Sequence, residues 1–263
     1  MPARLEKTGF WVWVTALIFY PISWIGKTTP TGAEHIRRRG GVLLVMNHIS
    51  HLDPPVDAVF VHRNGRVPRF LAKESLFRAP VFKHLISRAG SIPVYRASAA
   101  AGDSLVAAKQ ALRDGKLVII YPEGTITKDP AGWPMHARTG VARLALDCLE
   151  HDLPVVTAAR WGTNLILDGY TRKFRPFPRK KIYIRVSEPV DLSAYRERPL
   201  NNELLREVTD LLMGRVRAQL AEIRGEQAPA EFYLPSKVAR AAKAAKAAEA
   251  GEAAREDGSP GDA

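Results

Sequence analysis

The sequence predicts an α/β fold, with a mixed central sheet flanked by helices. Three observations carry that expectation. Short continuous apolar runs such as Val42–Met46 (VLLVM) and residues 117–121 (LVIIY) have the length and character of strands buried on both faces. Stretches of helical periodicity alternate with them, the order that produces a sheet with helices packed on it. An uncharged, aromatic-rich stretch comes before all of these.

That first stretch is FWVWVTALIFY at residues 10–20, continuing through Pro21 to Trp24 and Ile25. It is shorter than the roughly 20 apolar residues a membrane span needs. Three of the five tryptophans (Trp11, Trp13, Trp24) fall in it, and tryptophan favours the water–lipid boundary. The reading is an N-terminal membrane-contacting helical segment, with a buried core helix as the alternative. Arg4 and Lys7 precede the run as in a signal peptide, but no small-residue cleavage site follows, so the segment is expected to be retained.

The strands expected after Val42–Met46 are residues 69–72, 92–95, 117–121, 154–159 and 182–186. Residues 103–114 form an expected helix with Asp103 as N-cap and Gly115 ending it. Residues 138–149 and 201–223 form two more, the last long and amphipathic. After Pro235 the chain is Ala-rich and almost free of large apolar side chains, so it cannot bury a core. The expected organisation is a membrane-associating segment at 1–30, an α/β domain at 31–227 and a low-complexity tail at 228–263.

Thirty-nine Lys and Arg face 27 Asp and Glu, a formal charge of +12. The excess favours an anionic partner: nucleic acid, anionic lipid or a phosphorylated substrate. The single cysteine, Cys148, excludes a disulfide framework and reads as a core thiol. No Cys/His cluster has the spacing of a zinc site, so no metal is expected.

Three expected strand ends carry chemistry, and open α/β sheets place their sites at such ends. Val42–Met46 runs into Asn47, His48 and, five residues after His48, Asp53. That offset suits a turn entering a helix, where a carboxylate reaches back to one imidazole nitrogen and the other nitrogen acts as general base. The pattern His-x4-Asp alone also fits an ordinary polar loop. The strand at 117–121 leads into Pro122, Glu123, Gly124 and Thr125, and the strand at 92–95 into Arg96, whose planar fork suits a phosphate.

Together these residues resemble the glycerolipid acyltransferases typified by 1-acylglycerol-3-phosphate (lysophosphatidic acid) acyltransferase. Four blocks occur in the family's order. They are Asn47, His48 and Asp53; Gly90, Ile92 and Arg96; Tyr121-Pro122-Glu123-Gly124-Thr125-Ile126; and Leu153-Pro154-Val155-Val156. Lys73-Glu74-Ser75-Leu76-Phe77 and Pro80 also match, and the likeness covers about residues 25–195. The third block departs from the family: Ile126 stands where an arginine usually helps hold the acceptor phosphate, with Lys128 and Arg138 nearby as substitutes.

The resemblance implies transfer of an acyl group from a thioester to the free hydroxyl of lysophosphatidic acid, in phospholipid biosynthesis. His48 would be the base and Asp53 its orienting partner. Arg96, and more weakly Lys73, would hold the phosphate, with Arg138 as a further candidate. Glu123, Gly124 and Thr125 would shape the acceptor pocket, Glu123 bonding a glycerol hydroxyl or a backbone amide. No cofactor or metal is implied, and acyl-CoA or an acyl carrier protein would be the co-substrate. Neither Cys148 nor Ser50 is placed as a nucleophile, so attack is direct. A peripheral or monotopic site on the cytoplasmic side of the cell membrane follows.

Two alternatives stand beside this. Ile126 leaves room for another lysophospholipid or a glycolipid as acceptor. From another class, Lys237, Arg240, Lys243 and Lys246, three residues apart among alanines, resemble a basic nucleic-acid-binding tail. No nucleic-acid motif in the domain supports it.

Overall fold

The computed structural model describes residues 5–6, 9–78, 87–94 and 101–236. Seven strands form one sheet: β1 (Lys27–Thr31), β2 (Val42–Met46), β3 (Pro68–Lys73), β4 (Ile92–Val94), β5 (Leu117–Ile120), β6 (Val155–Trp161) and β7 (Lys181–Pro189). Their spatial order is β1-β7-β6-β2-β5-β3-β4. β2, β5, β6, β3 and β4 run parallel, and β7 turns antiparallel to β6, so the sheet is mixed as expected.

The helices are α1 (Phe10–Ser23), α2 (Asp53–Arg63), α3 (Ala101–Arg113), α4 (Gly140–Glu150), the single turn α5 (Thr163–Ile166) and α6 (Asn202–Arg224). The central strands are apolar throughout because they are covered on both sides. In β2, Leu43 and Val45 join the core under α3, α4 and α6, while Val42, Leu44 and Met46 join the opposite core, against Val56 and Phe60 of α2. β5 divides in the same way, with Val118 and Ile120 on one side and Leu117 and Ile119 on the other. Cys148 lies buried in α4, and burial pushes its thiol up to about 12, which keeps it a core residue.

Helix ends follow from local chemistry. Asn201 caps α6 by accepting the Leu204 N–H at 2.8 Å, and Gly225 closes it in the left-handed region at φ 64°. Gly115 ends α3 with φ 76°, letting the Lys116 N–H return to the Ala111 carbonyl at 2.9 Å. Asp103 does not cap α3, because the helix already runs from Ala101 and Asp103 lies inside its first turn. β1, KTTPT, is an addition to the expected strands. It pairs in parallel with β7 at the sheet edge, where Pro30 lacks no needed partner.

α1 has the expected apolar character and carries Pro21 in its last turn. Phe10, Trp13 and Leu17 form an outward stripe, with Leu17 77% exposed. Among the described residues no helix is long and apolar enough to cross a membrane. The tail cations Lys237, Arg240, Lys243 and Lys246 lie outside the described residues, as does Arg96.

Candidate active site

Because β2, β5 and β6 are parallel, their C-terminal ends fall at one edge of the sheet. β2 delivers Asn47 and His48, β5 delivers Tyr121 to Glu123, and β6 ends in Arg160 and Trp161. α2 begins directly at Asp53, with Pro54 and Pro55 in first-turn positions that have no helical acceptor for an N–H.

That start places the Asp53 carboxylate at the centre of a fan of donors. Its Oδ2 accepts from His48 Nδ1 at 2.8 Å, from the Ile49 N–H at 2.7 Å and from the Ser50 N–H at 2.8 Å. Its Oδ1 accepts from Thr163 Oγ1 at 2.6 Å and lies 3.0 Å from Arg160 Nε. Burial opposes ionisation of Asp53, but the Arg160 charge and the bonds from His48 and Thr163 outweigh it and hold the carboxyl below its ordinary range. The Asp53 carboxylate, accepting from His48 Nδ1 and two backbone N–H groups, fixes Nδ1 of His48 as the protonated nitrogen and leaves Nε2 as the basic one.

Arg160 was not foreseen from the sequence. It is fully buried, bridges Asp53 and Asp57, and gives its Nη2 to the Asn47 carbonyl at 2.5 Å. Asn47 returns the tie, with its side-chain oxygen accepting the Arg160 N–H at 2.8 Å and its amide nitrogen donating to the Arg160 carbonyl at 3.0 Å. The two flanking carboxylates raise the Arg160 guanidinium still further, against the effect of burial. Asp57 also accepts the Tyr121 hydroxyl at 2.6 Å, and the Tyr121 ring stacks on His48 with centroids 4.6 Å apart. The imidazole is thus held at its edge by Asp53 and on its face by Tyr121. One signal for this network was present in the sequence: Asp57 lies one helical turn after Asp53.

Glu123 is 4% exposed, and both its oxygens are engaged by backbone. Oε1 accepts the His48 N–H at 2.9 Å and Oε2 the Met135 N–H at 3.0 Å. Of the two roles open to it, the backbone-amide one is what the structure shows. Burial pushes its carboxyl up to about 8, against the two N–H donors. Gly124 follows with φ 70°, and a Cβ there would approach Arg138 Nε at 3.1 Å.

A cavity of about 910 Å³ opens beside His48. Its walls are mostly apolar, with Val12, Ala16 and Phe19 from α1, Ala58 and Val59 from α2, and Leu71 from β3. Lys73, Gly124, Thr125, Ile126, Lys128 and Arg138 also line it. Of the expected pocket residues within the described chain, Glu123 alone stays behind the wall, because both its oxygens are turned to backbone N–H groups. Lys73, Thr125 and Arg138 are exposed. The arrangement can lift a proton from a hydroxyl held at His48 while a long apolar chain lies in the cavity.

A family model described as Acyltransferase matches residues 27–161. A 1-acyl-sn-glycerol-3-phosphate acyltransferase of Borreliella burgdorferi is 32% identical over 130 residues, which is 49% of this chain and 50% of that protein. An N-acylphosphatidylethanolamine synthase of Arabidopsis thaliana is 24% identical over 160 residues, 57% of this chain and 56% of that protein. The chain thus spans about half the length of the curated relatives it matches. The crystal structure of the 1-acyl-sn-glycerophosphate (LPA) acyltransferase PlsC from Thermotoga maritima shares the fold, with TM-score 0.56 at 22% identity over 83% of this chain and 81% of that one.

Proposed function

The chain belongs to the acyltransferase family, and on that premise we propose that it moves a fatty acyl group from an acyl thioester to the free hydroxyl of lysophosphatidic acid, making phosphatidic acid. The observation that carries the reading is the His48–Asp53 couple, 2.8 Å apart, at the wall of an apolar cavity large enough for an acyl chain. The donor is acyl-CoA or an acyl carrier protein thioester.

In this reading His48 Nε2 takes the proton of the acceptor hydroxyl as its oxygen attacks the thioester carbonyl. A C–O bond forms, the tetrahedral intermediate collapses, and the C–S bond breaks. The departing thiolate takes the proton back from the imidazolium. Asp53 stabilises that imidazolium, and general-base catalysis of this kind contributes on the order of 10²–10⁴-fold in rate. Lys73, Arg138 and Arg96 bind the acceptor phosphate. Glu123 is a positioning residue, tying the His48 backbone N–H to the backbone N–H of Met135 in the loop after β5.

The exposed stripe of α1 seats the molecule in the headgroup region as a monotopic anchor, on the cytoplasmic side, so that lipid acceptors reach the cavity without leaving the membrane. A second reading keeps the chemistry and changes the acceptor to another lysophospholipid or a glycolipid. Ile126 in place of the phosphate-holding arginine favours it, and so does the similarity to an N-acylphosphatidylethanolamine synthase.

The test is acyl transfer from palmitoyl-CoA to lysophosphatidic acid in mixed micelles, beside His48→Ala. Turnover that disappears in the variant supports the reaction and the base together. Turnover that survives overturns the mechanism. Turnover with only a non-phosphorylated acceptor keeps the chemistry and replaces the substrate.

A further inference from the structure

Between β6 and β7 the chain makes a largely exposed excursion, residues 165–181, whose cations and phenylalanines the acyl-transfer reading does not use. It holds six cations (Arg172, Lys173, Arg175, Arg179, Lys180 and Lys181) against one acid, Asp168. Among the described residues none of the six forms an ion pair with a carboxylate. Aromatics are interleaved with them, and Phe174 is 55% and Phe177 80% exposed. Surface phenylalanines at that exposure lose apolar burial without return in water, and Asp168, which feels the Arg175 charge, is the one acid of the excursion set against the six cations.

The position of the excursion narrows the partner. One end is tied to the chain leaving α1, since Arg179 Nη2 donates to the Gly26 carbonyl at 3.0 Å. Lys27 pairs in register with Lys181, and Trp24, at the end of α1, is also exposed. The middle is tied to the active-site loops. The Leu167 carbonyl accepts from Ser50 Oγ at 2.7 Å, and Tyr170 OH donates to the Thr127 carbonyl at 2.5 Å. Gly169 and Tyr170 line the same cavity as α1.

We propose that residues 165–181 are a second membrane-contacting element that docks on an anionic lipid surface, Phe174 and Phe177 entering the headgroup region and the cations meeting lipid phosphates. The inference rests on the reading of α1 as a membrane anchor. It adds a charge-selective contact on another wall of the cavity. Each cation near an anionic surface strengthens binding severalfold, and the effect is screened by salt.

The experiment uses the full chain with an environment-sensitive fluorophore on Phe177→Cys or, separately, on Leu17→Cys, since the one native thiol, Cys148, is buried. Vesicles are phosphatidylcholine alone or with 30% phosphatidylglycerol, on the order of the anionic content of natural cytoplasmic leaflets. A blue shift at both positions, with Phe177 requiring phosphatidylglycerol, is the expected result. Phe174→Ala/Phe177→Ala should lower partition to the anionic vesicles on the order of tenfold, while turnover on a short-chain monomeric acceptor stays unchanged. A shift at Leu17 without one at Phe177 overturns the second contact and leaves the α1 reading standing. Silence at Leu17 with intact turnover overturns the α1 reading itself. A Phe177 shift indifferent to phosphatidylglycerol overturns the role of the cations.

Discussion

Arg160 Nε lies 3.0 Å from Asp53 Oδ1, and neither side chain has any exposed surface. The pair joins the end of β6 to the first residue of α2, so the acid that orients His48 is held from the opposite strand. A buried guanidinium between two carboxylates is stable only while all members are present, because removing one leaves an uncompensated charge.

Arg160→Gln tests that dependence. A neutral amide leaves Asp53 and Asp57 without the positive charge they share. Stability should fall by about 3 kcal/mol in urea unfolding. The pH profile should change as well. The Arg160 charge helps hold the Asp53 carboxyl below its ordinary range, so its loss raises that value, and the acid limb of kcat/KM should move to higher pH. An unmoved acid limb would mean that Arg160 acts only on folding.

Tyr121→Phe separates the two contacts of that ring. The stack on His48 survives, while the hydroxyl bond to Asp57 at 2.6 Å is lost. The other carboxylate oxygen of Asp57, Oδ1, is buried without a hydrogen-bond partner, and burial raises its carboxyl despite Arg160. Thermal unfolding should show a loss of about 1–3 kcal/mol, with kcat within a few-fold of the parent. A large fall in kcat at unchanged stability would instead assign the hydroxyl a direct part in the reaction.

The Glu123 carboxyl, raised from 4.5 to about 8, makes a signed prediction. The folded protein keeps a proton that the unfolded chain releases above 4.5, so this group's contribution falls as pH rises from there to about 8 and is constant above. Glu123→Gln removes the titration but sets an amide NH₂ against a backbone N–H, at a cost of about 1–3 kcal/mol. The variant should therefore be less stable than the parent at pH near 5, with the gap closing towards pH 8. Urea midpoints at the two pH values decide it, and a constant gap would show that Glu123 is ionised throughout.

Much of this architecture was legible in the sequence because burial on both faces leaves a plain mark. VLLVM and LVII can scarcely be anything but central strands, and His48 and Asp53 follow directly from the first of them. β1 left no such mark: KTTPT sits at an exposed edge where no apolar alternation is needed. Arg160 was hidden for the opposite reason. An arginine at the end of the expected strand at 154–159 reads as a surface residue, and β6 in fact runs on to Trp161. Only the fold brings Asp53 and Asp57, one turn apart on α2, to meet it. Glu123 looked like a pocket residue from its motif, and its two backbone partners, 75 and 12 residues away, are matters of tertiary contact.

Ile126 tests which acceptor the cavity takes. Its side chain packs near Gly169, with Cγ2 2.7 Å from where a Cβ would stand, so it closes that part of the wall with an apolar surface. The cations lining the same cavity are Lys73, Lys128 and Arg138. If they hold a phosphate, Arg138→Ala should raise KM for lysophosphatidic acid about tenfold or more, the loss of one charge-assisted hydrogen bond, and leave KM for palmitoyl-CoA unchanged. Ile126→Arg should lower KM for lysophosphatidic acid in the Arg138→Ala background by restoring a guanidinium beside the same site. An Arg138→Ala variant with unchanged KM for the phosphorylated acceptor, and an Ile126→Arg variant that gains nothing, would place the acceptor's phosphate elsewhere. Those results would favour a lipid without a terminal phosphate as the natural acceptor.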